Sequence, residues 1–153
     1  MRVWRIGRLT DTDKLSGLGG LYVSGRWHHG GHRILYTSST PSLAALEVLV
    51  HVDLALAPSG LGLLEIDVPD DIAVEACDAA KLTPHWQDFP PPTELQDFGS
   101  KWLEEHRTAL LSVPSAILSI EKNYLINPEH KDASRIRIVA ERPFAYDPRL
   151  LKT

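Results

Sequence analysis

A chain of 153 residues, 43% hydrophobic and 24% charged, has the length and composition of one globular domain with its own core, which excludes whole-chain disorder. The formal net charge of −4 argues against a general nucleic-acid binder, and the single cysteine, Cys77, excludes an intrachain disulfide or a zinc site built on paired cysteines. No apolar run approaches the roughly 18 residues that a membrane span requires, and Met1-Arg2-Val3-Trp4-Arg5 leads into polar residues, so the expectation is a cytoplasmic protein without a secretion signal.

In chain order, residues 3–6 read as a short strand, and the Gly-rich, polar stretch 7–25 as a loop. Residues 34–37 read as a second strand. Thr40 is a good helix N-cap and Pro41 suits the first helical position, so a helix is expected over 41–54, broken by Pro58 and Gly60. Residues 61–68 read as a strand ending at the turn Pro69-Asp70-Asp71, and Val74 opens another short one. The stretch 80–93, with Pro84 and Pro90-Pro91-Pro92, reads as an extended loop. Thr93 with Gln96 fits a capping box, and Leu95, Phe98, Trp102, Leu103 and His106 recur at helical spacing. Residues 110–118 read as a strand whose Pro114 favours an edge or a bulge. The stretch 121–130 mixes polar residues with a strand-like core and the turn signal Asn127-Pro128, and so reads as a hairpin or loop. Residues 136–139 read as a strand, and 144–146 as a possible one. Strands outnumber helices and most of their links are loops, which predicts an α+β fold rather than a doubly wound sheet.

Charge is unevenly placed: residues 1–40 carry net +4, residues 41–105 net −11 and residues 106–153 net +3. An anionic small molecule would suit the place where the basic ends meet. Gly17-Leu18-Gly19-Gly20-Leu21-Tyr22 fails the dinucleotide-loop pattern, because Tyr22 stands where the third glycine belongs. His28, His29 and His32 look metal-like, yet they lack the helical spacing and nearby carboxylate of known sites, so no metal is expected. In the helix, Leu43, Glu47 and His51 share a face, and a carboxylate in so apolar a segment is costly to bury unless paired or used. Arg26, between Gly25 and Trp27, is suited to clamp a phosphate or ribose with its multi-donor fork. Tyr22 and Tyr36 offer aromatic faces and hydroxyls, or are core tyrosines.

Together these pieces resemble the RES-domain family, the toxins of RES–Xre toxin–antitoxin systems. The resemblance runs through Gly19-Gly20-Leu21-Tyr22-Val23-Ser24-Gly25-Arg26-Trp27, Leu35-Tyr36-Thr37-Ser38 and Ser42-Leu43-Ala44-Ala45-Leu46-Glu47-Val48-Leu49-Val50-His51. It continues, in the family's order, through Pro84-His85-Trp86, Gly99-Ser100-Lys101-Trp102-Leu103, Val113-Pro114-Ser115 and Asn123-Tyr124-Leu125-Ile126-Asn127-Pro128-Glu129-His130. No single piece is specific; the ordered set is. The family usually has Asn after Gly-Arg-Trp, where this chain has His28.

The resemblance implies a single RES domain over 1–153 with an ADP-ribosyltransferase-like mixed sheet and a few helices. It implies an enzyme that takes NAD as substrate, without a further cofactor, and splits the nicotinamide–ribose bond. Phosphate, water or a target protein would be the acceptor. The name-giving Arg, Glu and Ser correspond to Arg26, Glu47 and Ser115. Glu47 would stabilise the positive charge that develops on the ribose, Arg26 would hold the pyrophosphate or acceptor phosphate, Ser115 would position a hydroxyl or phosphate oxygen, and His51 would orient Glu47 or the acceptor. Tyr22, Arg26, Tyr36 and Asn127 would contact NAD. The implied partner is a helix-turn-helix antitoxin protein in a homo- or hetero-oligomer, with no direct nucleic-acid or membrane contact. A non-catalytic interaction domain that kept the fold is the alternative from another class.

Overall fold

The computed structural model describes residues 1–53 and 59–151. Leu54 and Pro58, expected at the end and break of the first helix, lie outside the described residues. Seven strands form one sheet: β1 (Arg2–Arg8), β2 (Leu35–Ser38), β3 (Leu61–Asp67), β4 (Val74–Ala76), β5 (Leu110–Pro114), β6 (Lys122–Ile126) and β7 (Arg137–Phe144). Their order is β4-β5-β6-β2-β1-β3-β7. Every pairing is antiparallel except β4 with β5. That parallel pair needs a crossover, and helix α2 (Thr93–Glu105) supplies it; helix α1 (Pro41–Leu49) follows β2. This is the mixed sheet of an α+β protein. Among the described residues no helix is long and apolar enough to cross a membrane.

Both helices lie on one sheet face. The Thr40 Oγ1 accepts the Leu43 N–H at 3.1 Å and Pro41 takes the first helical position, so α1 starts where the sequence places it. It ends at Leu49, earlier than expected. Ala45, Val48 and Leu49 pack on Ile6, Leu61 and Leu63, and the Tyr146 hydroxyl donates to the Ala45 carbonyl at 2.7 Å. On the other half of the same face, Leu95, Trp102 and Leu103 of α2 cover Leu111, Val113 and Leu125. The opposite face carries a second apolar layer: Val3, Leu35, Leu64, Ile66, Leu110 and Ile126, closed by Ile72 and Ile136.

Two expectations need correction, and a third is made more definite. The capping box does not form: Pro92 is the N-cap of α2, Thr93 is already helical, and Gln96 instead donates to the Gly25 carbonyl at 3.0 Å. The strand expected over 110–118 stops at Pro114, which lies beyond the reach of β4, so its missing N–H deprives no neighbour. The stretch 121–130 contains the regular strand β6, paired on both sides with β5 and β2.

The two halves of the sheet meet at one residue pair, Trp4 opposite Ser38. Beyond it β1 and β2 no longer pair. The Arg5 guanidinium bridges the gap, its Nη1 donating to the Tyr36 carbonyl at 3.0 Å. A cleft of about 540 Å³ opens there, lined among others by Arg5, Gly7, Lys14, Gly25, His28 and Tyr36.

Candidate active site

The site is assembled over β2 and β6, between the two helices. Glu47, on the second turn of α1, is half-buried. Its Oε1 accepts two hydrogen bonds, from the Ser115 hydroxyl at 2.8 Å and from the Asn123 Nδ2 at 2.6 Å. Register explains the second donor: Asn123 on β6 stands opposite Ser38 on β2 and Val113 on β5. The Ser38 hydroxyl donates to Asn123 Oδ1 at 2.8 Å, which orients the amide so that its NH₂ meets the carboxylate. Ser115 is fully buried just past the end of β5, and its Oγ accepts the N–H groups of Ile117 and Leu118 at 3.1 and 3.2 Å. With two donors on the oxygen, the hydroxyl proton is left for Glu47. The carboxylate is thus fixed in direction by two donors that are themselves fixed.

Arg26 comes from a different construction. Gly25 and His28 close a tight turn, with the Gly25 N–H donating to the His28 carbonyl at 3.1 Å. Trp27 in that turn is buried, edge-on to Phe98 at 6.4 Å between ring centroids. Its neighbour Arg26 is presented outward. Arg26 Nη1 donates to the carbonyls of Trp86 and Asp88 at 2.7 and 2.8 Å, and the rest of its fork has no hydrogen-bond partner among the described residues. Burial lowers the Arg26 pKa, opposed first by the Glu47 charge and then by Tyr36 and Asp88. Arg26, Glu47 and Tyr36 therefore share one electrostatic neighbourhood. The Gln87 side chain ties the proline-containing loop to the Ala116 carbonyl at 3.1 Å, so the loop that holds Arg26 also braces the segment after Ser115.

Tyr36 lies under this turn. Its hydroxyl receives the Trp27 N–H at 3.2 Å and contacts His28 Nδ1 at 2.8 Å. Burial raises its pKa, with the Trp27 amide and then the Arg26 charge pulling the other way. Arg5 brings a second guanidinium into the adjoining cleft. Burial lowers its pKa, opposed by Asp11. A desolvated guanidinium is a ready receptor for an anion.

The structure thus brings Arg26, Tyr36, Glu47 and Ser115 together. Three other candidates stand elsewhere. His51 is exposed beyond the end of α1 and makes no side-chain hydrogen bond among the described residues, so it does not orient Glu47 here. Tyr22 is 77% exposed, following the 3₁₀ turn Leu18–Leu21. Asn127 is buried and occupied structurally: its Nδ2 donates to the Leu103 carbonyl at 3.2 Å and its Oδ1 accepts the Glu129 N–H at 3.0 Å. Asn123, Ser38 and Arg5 were not singled out from sequence. Only the pairing of β2 with β6, across more than eighty residues, reveals the first two. The three histidines do not converge: His28 serves Tyr36, His29 Nε2 meets Asp97 at 2.6 Å and His32 Nε2 meets Glu104 at 3.3 Å. Among the described residues no cluster of His, Cys, Asp or Glu is arranged to hold a metal.

Around Glu47 the structure thus gathers an oriented carboxylate and one guanidinium with free donors, with the Arg5 cleft beginning at Gly25 and Tyr36. The family model described as the RES domain matches residues 2–147, and the chain belongs to that family. It is 40% identical over 154 residues to the "Prs ADP-ribosylating toxin" of Sphingobium sp. (strain YBL2), covering 97% of this chain and 96% of that protein. It is equally 40% identical over 152 residues to "Toxin Res" of Pseudomonas putida, covering 98% and 99% of the two chains. Among solved structures, a chain of the M. tuberculosis MbcT-MbcA toxin-antitoxin complex superposes with a TM-score of 0.77 over 98% of this chain and 86% of its own, at 18% identity, and so shares the fold.

Proposed function

We propose that this protein is the toxin of a toxin–antitoxin pair and that it cleaves the bond between nicotinamide and ribose in NAD. The observation that carries the reading is the Glu47 carboxylate, held by Ser115 and Asn123 within the field of Arg26. As the glycosidic bond breaks, its electron pair leaves with nicotinamide, neutralising the pyridinium, and positive charge gathers on the ribose as an oxocarbenium-like centre. An oriented carboxylate stabilises that charge more than it stabilises the ground state. Arg26 and Arg5 take the pyrophosphate or an acceptor phosphate. Tyr36 frames the nicotinamide ribose. Nicotinamide is already a good leaving group, so no strong general acid is needed.

Attack by phosphate gives ADP-ribose carrying an extra phosphate. Attack by water gives ADP-ribose and a proton. A second reading, transfer of ADP-ribose to a protein, is favoured by the name of the Sphingobium relative. The partner that restrains the activity is proposed to be a helix-turn-helix antitoxin, and the setting the cytoplasm.

The test is to incubate the partner-free chain with NAD, with and without inorganic phosphate, and to follow nicotinamide and the ADP-ribose product by mass. Release in both conditions means hydrolysis; release only with phosphate means phosphorolysis; labelled protein means transfer. E47Q should stay folded and lose roughly 10²–10³ of turnover, the usual cost of removing a transition-state electrostatic partner. Unchanged turnover in folded E47Q, or no nicotinamide release under any condition, overturns the reading.

A further inference from the structure

The mechanism above leaves His28 unused. Its side chain is buried, with only 2% of the residue exposed. Its contacts with Gly20, Gly25 and Tyr36 favour one protonation pattern. Nε2 lies 3.2 Å from the Gly20 carbonyl, which can only accept. The Gly25 N–H, which can only donate, is shared between the His28 carbonyl at 3.1 Å and Nδ1 at 3.2 Å. The proton therefore sits on Nε2, and Nδ1 is an acceptor. Because the Tyr36 oxygen already receives the Trp27 N–H, its own proton goes to Nδ1 at 2.8 Å. The space around the ring is tailored: a Cβ on Gly25 would come within 2.3 Å of the Tyr36 oxygen and 3.1 Å of Nδ1, and one on Gly20 within 2.4 Å of the His32 carbonyl and 3.2 Å of Nε2.

Resting on the NAD-cleaving reading of this cleft, we infer that His28, as the Nε2–H tautomer, is the positioning residue that fixes the Tyr36 hydroxyl and the Gly25–Trp27 turn bearing Arg26. It is given no part in the bond-breaking step; it acts through the Tyr36 hydroxyl and the turn that carries Arg26. A second proton on Nδ1 would confront two donors, the Gly25 N–H and the Tyr36 O–H, and would force the tyrosine to turn away. The site is therefore built for a neutral imidazole. Burial lowers the His28 pKa below its ordinary 6.5, opposed by the Gly20 and Val23 carbonyls and reinforced by His32 and His29. The titratable groups around it are Tyr36 from β2 and His29 and His32 from its own loop. Asp97 and Glu104 of α2 pair with those two histidines. The 3₁₀ turn Leu18–Leu21 meets the ring through backbone alone.

Sign follows directly. At neutral pH the acceptor is in place; as pH falls below about 6.5 and through the lowered pKa, the protonated imidazole breaks the arrangement and NAD turnover declines. Asn at this position carries an acceptor oxygen and a donor NH₂ without titrating.

The experiment compares wild type, H28N and H28A in nicotinamide release across pH 5–8, with E47Q as the inactive control, and reads the ring nitrogens of ¹⁵N-labelled wild type by NMR. H28A should lose roughly tenfold in kcat/KM, as expected for one or two neutral hydrogen bonds, mostly through KM because the turn holds the binding arginine. H28N should recover most of that loss at pH 7.5 and flatten the acid limb. NMR should show His28 protonated on Nε2 at pH 7. Wild-type kcat/KM in H28A, an unchanged acid limb in H28N, or a proton on Nδ1 would each overturn the assignment. Should the wild type release no nicotinamide, the NAD reading fails, and the NMR tautomer still decides the His28 contacts. Should H28A fail to fold, H28N and the tautomer still do so.

Discussion

The two sides of the site are built by different means. Glu47 is anchored from regular structure: a capped helix, and a strand register that sets Asn123 opposite Ser38 and Val113. Arg26 hangs on a turn tied down by single points: Gln96 on the Gly25 carbonyl, Ser100 on the His29 N–H at 2.9 Å, and two carbonyls of the proline loop. Ladder hydrogen bonds cooperate, and a shift in register would move a whole row of side chains. Point contacts yield one at a time. The Glu47 side is rigid through its fold, and the Arg26 side is adjustable through its contacts.

The largest break in that contrast should come at Gly99. A Cβ there would lie 1.6 Å from the Trp27 carbonyl oxygen, which is backbone and cannot swing aside. G99A should push the Arg26 turn off α2 and cost about 3 kcal/mol or more, visible as a Tm lowered by roughly 6–12 °C. An unchanged melting curve would show that the turn does not depend on this close approach. Next, S115A removes a hydrogen bond to a carboxylate and leaves the Ile117 and Leu118 N–H groups without their acceptor. It should cost about 2 kcal/mol in urea denaturation, and N123A less. The double variant should fall short of the sum, because both donors meet the same oxygen. Strict additivity would dissolve the idea of one shared anchor. Smaller still, Q96A frees only the Gly25 carbonyl and should raise the KM for NAD about fivefold, from about 1 kcal/mol, with kcat nearly unchanged. A drop in kcat instead would mean that the two sides are coupled. H51A should be the mildest, within about 0.5 kcal/mol in stability and twofold in turnover, since the imidazole is solvent-exposed beyond α1.

What the sequence disclosed follows the range of the interactions. The start of α1 was legible because Thr40-Pro41 is a local signal. Its end was not: the apolar run continues past Leu49, and nothing local marks the stop. Thr93 and Gln96 imitated a capping box because the spacing is right, but the tertiary contact with Gly25 claimed the Gln96 side chain. β6 was masked by polar residues at its start, and one of them, Asn123, is polar because it faces the site. Arg26, Glu47 and Ser115 came through an ordered set of motifs. The supports of Glu47, Asn123 and Ser38, came only with the fold, through register, as did the place of Arg5 at the opening between β1 and β2. His28 had been seen as part of a metal-like trio, whereas its burial beside Tyr36 gives it a different task.

The sequence distances inside the site set an order of events during synthesis. Glu47 is separated by 68 residues from Ser115 and by 76 from Asn123. A nascent chain carrying Arg26, Tyr36 and α1 still lacks both donors that aim the carboxylate, and β2 lacks the strand that supplies its continuous ladder. The proposed activity would thereby be withheld until synthesis has passed Asn123, and fragments that stop before Ser115 would lack both donors.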